Sequence, residues 1–533
     1  MEFDFRPNRA TATPASRAGR QEHFRHILER TCARIMAFFR TPNGWCRMFR
    51  LPRVFLLAVA LSAASVAPAA SADASGQTPQ SRMQAVIDGL GPAVEIEGRP
   101  VARSGLVETM QALHVPGVAI AVIRQGKVDW AKGFGLTREG GEPVTARTLF
   151  QAGSVSKPIA AMTALRLVQE GRLSLDGDAD AILKTWKIPS NPYTGRTPVT
   201  LRALLSHTAG TTVHGFAGYA AGEAVPTLPQ VLGGVAPANS KPVVVDRPVG
   251  HEYAYSGGGY SIAQQLMVDA TGAPFAELVR KTVLAPLGMS RSTEQQPLQA
   301  SRLAHAAWPH DGAGAPIPGG PHTYPEMAAA GLWTTAEDLA RFAIELQRAA
   351  SGRQGRVLTA DMGRLMTTRV KGDYGLGVSI LGSAKAPYFY HDGSNAGYKA
   401  TLLGYPASGD GVVVLTNGDQ GYELGQKIAR AVAVVYGWPD LHPVKRAAVD
   451  LAADQLARYA GSFEIEGVGG FEIHRRDGGL ALELWKGVVE PMYAQAPGRF
   501  FITSHDLVLT FDGPDRGRIA APDFKGSFAR AKP

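Results

Sequence analysis

Ser154 stands three residues ahead of Lys157 in "QAGSVSKPIAAMTALRLVQEG" (residues 151–171), where a long apolar run begins. Positions i and i+3 of a helix share one face, so the lysine can reach the hydroxyl one turn back. A desolvated lysine offers a neutral amine that can take the serine's proton. A helix N-terminus adds positive potential and free N–H groups where an oxyanion would form. That chemistry is acyl transfer through a serine ester. Serine is also a favoured helix cap and lysine a common helix residue, so Ser-x-x-Lys alone leaves both readings open.

Two more stretches change the weighting. "HEYAYSGGGYSIAQQ" puts Tyr255 just before a glycine-rich turn and a helix, and "FYHDGSNAGYKATLLGYP" reads as a strand, a glycine turn and a second strand. The chain carries "LFQAGSVSKPIAA", "LLSHTAG", "YAYSGGGY", "GLWTTAEDLARF" and "HDGSNAGY" in that order. Over roughly residues 83–437 it resembles serine hydrolases of the β-lactamase and penicillin-binding type. The resemblance is above all to class C β-lactamases and their esterase, D-aminopeptidase and D-alanyl-D-alanine carboxypeptidase relatives.

The resemblance implies roles residue by residue. Ser154 would be the acylated nucleophile and Lys157 its general base or proton relay. Tyr255 matches the tyrosine of the family's Tyr-x-Asn motif and would shuttle protons to the leaving group and activate the deacylating water. His391-Asp392-Gly393 falls where lactamases usually have Lys-Thr-Gly. The backbone N–H groups of Ser154 and Ser394 would form the oxyanion hole, where one donor is worth about 3–4 kcal/mol. Gly257, Asp392, Gly393 and Ser394 would line the substrate site. No metal and no cofactor is implied. The expected partner is a small molecule or short peptide, cell-wall peptides included.

Two departures bear on substrate class. The second motif is Tyr255-Ser256-Gly257, so the asparagine amide that helps bind an acyl side chain is missing. The third motif has His391 for lysine, and histidine, with an ordinary pKa of about 6.5, is mostly neutral at neutral pH. Both lean away from an efficient β-lactamase and towards a peptidase or esterase on small esters, amides or D-amino-acid peptides. The alternatives are a class C-like β-lactamase and a non-catalytic binder or sensor of cell-wall peptides, which would have no need of Ser154, Lys157 and Tyr255 together. An α/β-hydrolase is disfavoured, because the chain has no Gly-x-Ser-x-Gly elbow.

Other polar residues have plainer readings. His207 in "LLSHTAG" is expected to fix a loop by hydrogen bonding, and Tyr253 and Tyr260 to pack. Ser156 is placed behind the nucleophile. Asp392 either pairs with His391 or faces solvent.

These residues need a frame. "GVAIAVI" and "KVDWAKGFG" read as strands joined by Arg-Gln-Gly, a turn with glycine where positive φ is required. From about 176 to 380 helical patterns dominate, among them "LRALLSH", "SIAQQLMVDATG", "AELVRKTVLAPLG" and "TTAEDLARFAIELQRAA"; Thr334 and Glu337 have capping-box spacing in the last. Strand patterns return in "YFYHDG", "YKATLLGYP" and "GVVVLTNG", followed by the helix "GQKIARAVAVVYG". The expected class is α+β: an antiparallel sheet flanked by helices, with a helical subdomain inserted between its early and late strands and the site in the cleft between them. "PDLHPVKRA" reads as a linker, and the short alternating runs after it as a small antiparallel barrel or sandwich, resembling the lipocalin-like extensions of some D-aminopeptidase-like relatives. The expected divisions are an extension over 1–47, a signal peptide over 48–72, a linker over 73–82, the hydrolase domain over 83–438, a second linker over 439–450 and the β domain over 451–533.

Charge and cysteine usage place the chain. The net charge is +9, from 55 Lys/Arg and 46 Asp/Glu. Residues 1–72 hold 11 Lys/Arg and 4 Asp/Glu, leaving 44 against 42 for the remainder, so the basicity belongs to the leader and argues against nucleic-acid binding. From Met48, Arg50 and Arg53 precede an apolar run and an Ala-Ser-Ala at 70–72, the layout of a secretion signal cut near Ala72. Met48 is then the expected start, with residues 1–47 an over-read; the alternative is an unusually long n-region or a retained cytoplasmic tail. Both cysteines, Cys32 and Cys46, precede it, so the exported, periplasmic or secreted chain would carry no thiol.

Overall fold

The computed structural model describes residues 77–531 except 477, 486, 487 and 523. The extension, the signal peptide, both cysteines and the first positions of the 73–82 linker lie outside the described residues. A helix, α1 (Pro79–Asp88), occupies the end of that linker, capped by the Thr78 hydroxyl, which accepts from Ser81 N–H. Pro at N1 suits this start, because its missing N–H would have had no helical partner.

β1 (Val94–Ile96) precedes the hairpin β2 (Gly117–Arg124) and β3 (Lys127–Gly135), which matches the sequence expectation. Its turn needs positive φ at Gln125 as well as at Gly126. β4 (Phe150–Gln151) leads into α2 (Ser156–Gln169). The helical insert includes α3 (Gly257–Thr271) and α4 (Met327–Ala330) and ends at β5 (Trp333–Thr334), which pairs back onto β4. α5 (Ala336–Ala350) follows. Its cap is Thr335, whose hydroxyl accepts from Asp338 N–H, and not Thr334, whose side chain is buried within β5. The capping-box expectation was therefore off by one position, because the pairing of β4 with β5 takes Thr334.

β6 (Ser379–Ser383), β7 (Ala386–Asn395), β8 (Tyr398–Gly404) and β9 (Gly411–Thr416) complete a six-stranded antiparallel sheet of order β3-β2-β9-β8-β7-β6. α6 (Gly421–Tyr436) closes it. β2 is buried from Gly117 to Ile123 because both faces are covered. Ala119, Ala121 and Ile123 pack with α2 and α5, while Val118, Ile120 and Val122 pack with α1 and α6. The strand period of two sends alternate residues into two cores.

The stretch read as the second linker contains β10 (Val444–Arg446), which pairs parallel with β1. Beyond it, the eight strands β11 (Gly461–Ile465), β12 (Gly469–Arg476), β13 (Gly479–Trp485), β14 (Val488–Ala496), β15 (Arg499–Phe501), β16 (Val508–Phe511), β17 (Arg516–Ala521) and β18 (Phe524–Arg530) form a closed barrel. Phe463, Phe471, Phe500, Phe511 and Phe528 fill it. Thr503 O accepts from Ala93 and Val94 N–H, tying the barrel to the segment before the sheet. Among the described residues no helix is long and apolar enough to cross a membrane.

Candidate active site

β4 delivers the chain to Gly153, whose φ of +51° starts a 3₁₀ turn over Gly153–Val155 ahead of α2. Ser154 sits in that turn and caps neither it nor α2. Its Oγ lies 2.9 Å from Lys157 Nζ. Lys157 is only 2% exposed and reaches a second acceptor, Ala329 O of α4, also at 2.9 Å. A neutral amine in this position could donate to Ala329 O and turn its lone pair to the serine hydroxyl. Ser156 supports the turn from behind: its hydroxyl donates to Gly153 O and accepts from Leu332 N–H.

Tyr255 precedes α3, with Lys157 Nζ 4.9 Å from its ring centre. Ser256 caps α3 by accepting from Gly259 N–H. Gly257 begins that helix; its N–H is taken by His214 O, and an added Cβ would come within 3.0 Å of the Phe216 ring. His207 is buried, holds the Ser256 N–H on Nδ1 at 3.1 Å and stacks 4.2 Å from Tyr255. It fixes the loop as the sequence suggested. Burial, followed by the Lys157 charge, holds its pKa well below the usual imidazole range.

The β7 residues reach the same place. Gly393 packs against the nucleophile turn so closely that an added Cβ would lie 1.9 Å from Ala152 O and 3.2 Å from Ser154 N. Ser394 N lies 2.5 Å from where a Cβ on Gly153 would be. The Ser154 and Ser394 amides thus sit at one contact between turn and strand. Asp392 is partly exposed, and its carbonyl, rather than its carboxylate, meets His391 Nδ1 at 2.6 Å.

His391 is brought beside the site, with its ring 6.3 Å from that of Tyr255, but it is 3% exposed and both its nitrogens are engaged. Nε2 lies 3.2 Å from the Tyr374 hydroxyl. Burial, then the Lys157 charge, pushes its pKa down to about 3. Tyr374 escaped sequence reasoning because it lies in the loop before β6, outside every motif, and nothing in its spacing marks it. The Ala329 carbonyl is equally invisible in a list of side chains.

Residues 104–437 match the family described as Beta-lactamase. Penicillin-binding protein 4 of Amycolatopsis lactamdurans is 29% identical over 321 residues, covering 57% of this chain and 81% of that protein. Esterase EstB of Burkholderia gladioli is 29% identical over 278 residues, covering 46% of this chain and 69% of its own. In fold, the octameric penicillin-binding protein homologue from Pyrococcus abyssi aligns with a TM-score of 0.55 at 22% identity, over 79% of this chain and 98% of that one. With its sheet, its helical insert and the Ser154–Lys157 pair in place, the chain belongs to the beta-lactamase family of serine hydrolases.

Proposed function

We propose that the chain is an exported hydrolase that forms an acyl-enzyme on Ser154 and acts on small esters, amides or D-amino-acid peptides. The observation that carries this reading is the 2.9 Å contact between Ser154 Oγ and a lysine buried away from water. Lys157 takes the serine proton as Oγ attacks the acyl carbon, and the Ser154 and Ser394 amides receive the developing oxyanion. Tyr255 passes the proton to the leaving group, which departs as an alcohol or amine. Water then attacks the ester on Ser154, giving the acid and restoring the hydroxyl. The esterase relative supports the ester branch. The missing asparagine at Gly257 and the neutral His391 weigh against a class C-like β-lactamase.

Intact-protein mass after parallel exposure to a fluorophosphonate, a penicillin and a D-alanyl ester tests the reading. The expected result is one adduct with the fluorophosphonate that is lost in Ser154→Ala. An equal adduct in that variant would place the nucleophile elsewhere.

A further inference from the structure

The Asp392 carbonyl, 2.6 Å from His391 Nδ1, can only accept, so Nδ1 carries the hydrogen. In the neutral ring Nε2 is then a lone pair that the Tyr374 hydroxyl, 3.2 Å away, can occupy by donating; the same hydroxyl also meets that of Tyr260, whose own hydrogen goes to Leu205 O. His207 shows the opposite tautomer. Its Nδ1 accepts the Ser256 N–H, so its hydrogen is on Nε2, which is buried without a hydrogen-bond partner among the rings of Tyr253, Tyr255, Tyr260 and Tyr374. The Tyr374 ring lies 4.8 Å from His207 and 6.3 Å from His391, so one buried tyrosine touches both histidines.

The titratable groups around His391 come from several elements. Lys157 on α2 is the nearest basic group, and its ammonium form, present once it has taken the serine proton, opposes a second cation at the ring. Tyr255 precedes α3, Tyr374 precedes β6, and the partly exposed Asp392 is next on β7. Where a lysine would present a fixed cation, this site presents an imidazole with both nitrogens already engaged.

We propose that Tyr374 is a positioning residue that holds His391 as a neutral ring with its Nε2 lone pair occupied, so that the site selects acyl donors without a free carboxylate on that side. This rests on the acyl-enzyme reading above and narrows it: neutral esters and amides are taken in preference to peptides ending in a carboxylate. A bound carboxylate is held by a cation or a hydrogen-bond donor, and His391, with both nitrogens engaged, offers neither.

The test uses the full chain labelled with ¹⁵N-histidine, the His391 signals being assigned by their loss in His391→Gln. The parent is expected to show Nδ1–H, a lone pair on Nε2 and no titration between pH 5 and 8. Two esters of one acyl group, differing only in a carboxylate on the leaving group, are compared by kcat/KM. The parent should favour the neutral ester by tenfold or more. Tyr374→Phe removes a bond that only the neutral ring accepts, so the His391 titration should move up and the preference should shrink several-fold. A protonated Nε2 in the parent at neutral pH overturns the proposal, as does a parent indifferent to the carboxylate, or a Tyr374→Phe chain that folds with both readouts unchanged. If the variant does not fold, the parent spectrum and ester pair still decide. If the parent turns over neither ester, the acyl-enzyme reading and the selectivity fail together, while the spectrum separately judges the Tyr374–His391 pair.

Discussion

Gly153 and Gly393 face each other across the contact between the nucleophile turn and β7, and neither has room for a Cβ. On Gly393 it would lie 1.9 Å from Ala152 O; on Gly153, 2.5 Å from Ser394 N. Both obstacles are backbone, which cannot swing aside as a side chain can. Gly153 also needs its φ of +51°, which L side chains rarely adopt. The two glycines set how closely the nucleophile turn and β7, and with them the Ser154 and Ser394 amides, approach each other.

Gly393→Ala should therefore push the strand from the turn. An oxyanion-hole donor out of place costs about 10²–10³-fold in rate, so acylation should fall at least that far. Overpacking should also cost about 1–3 kcal/mol of stability. Fluorophosphonate labelling kinetics and a thermal melt check both effects. Labelling at the parental rate would show that the contact does not set the amide geometry.

Lys157→Ala should lower kcat/KM by about 10²–10⁴-fold, the usual contribution of a positioned base. Combined with Ser154→Ala it should cost little more than either change alone, because the pair acts as a unit. Steady-state kinetics of the two single variants and the double variant measure this. Additive losses would mean that the lysine serves something other than the serine.

The frame was legible where periodicity was strong. β3 runs from Lys127 to Gly135 as its pattern suggested, and the closing helix and the barrel strands follow their apolar runs. The placement of Ser154, Lys157, Tyr255 and Gly393 beside one another was legible because local motifs bring their own geometry. Illegible were relationships made only by packing: Tyr374 against His391, Ala329 O against Lys157, and β10 against β1. The Thr334 cap failed for the same reason, since its pairing partner lies far back in the chain.

Export should remove the sequence through Ala72. N-terminal sequencing of the exported chain should begin just after it. A mature chain that still contains Cys46 would overturn both the start at Met48 and the thiol-free reading.

Glu326 gives a pH dependence of stability. Its carboxylate oxygens are fully buried without a hydrogen-bond partner, and burial pushes its pKa up to about 7. In the unfolded chain it titrates near 4.5. The folded state therefore binds the extra proton between these values, and the contribution is present in full below pH 4.5 and lost as pH rises through about 7. At about 1.4 kcal/mol per pKa unit, the loss is about 3–4 kcal/mol. Glu326→Gln should flatten the fall in Tm between pH 5 and 8, seen by calorimetry at both values. A fall as steep as the parent's would assign the pH dependence to another group.

Substrate class gives the sharpest outcome. Gly257 offers no side-chain amide, and the Phe216 ring and His214 carbonyl already crowd that position. His391, with its pKa pushed down to about 3, carries no charge from pH 5 to 8. A cephalosporin needs both an acylamino contact and a cation for its carboxylate, while a small neutral ester needs neither. The ester should therefore show the higher kcat/KM, and one missing charged contact accounts for about 1.5–3 kcal/mol of the gap, or roughly 10–150-fold. Because His391 stays neutral, the ratio of the two rates should show no step near pH 6.5. His391→Lys should move the ratio towards the cephalosporin, but it places a second cation in the field of Lys157 and should lower the melting temperature as well. Parallel pH–rate profiles with a chromogenic cephalosporin and an aryl ester measure this. If the parent hydrolyses the cephalosporin faster than every ester and D-peptide tried, Gly257 and His391 do not set the substrate class, and the β-lactamase alternative replaces the esterase and peptidase reading.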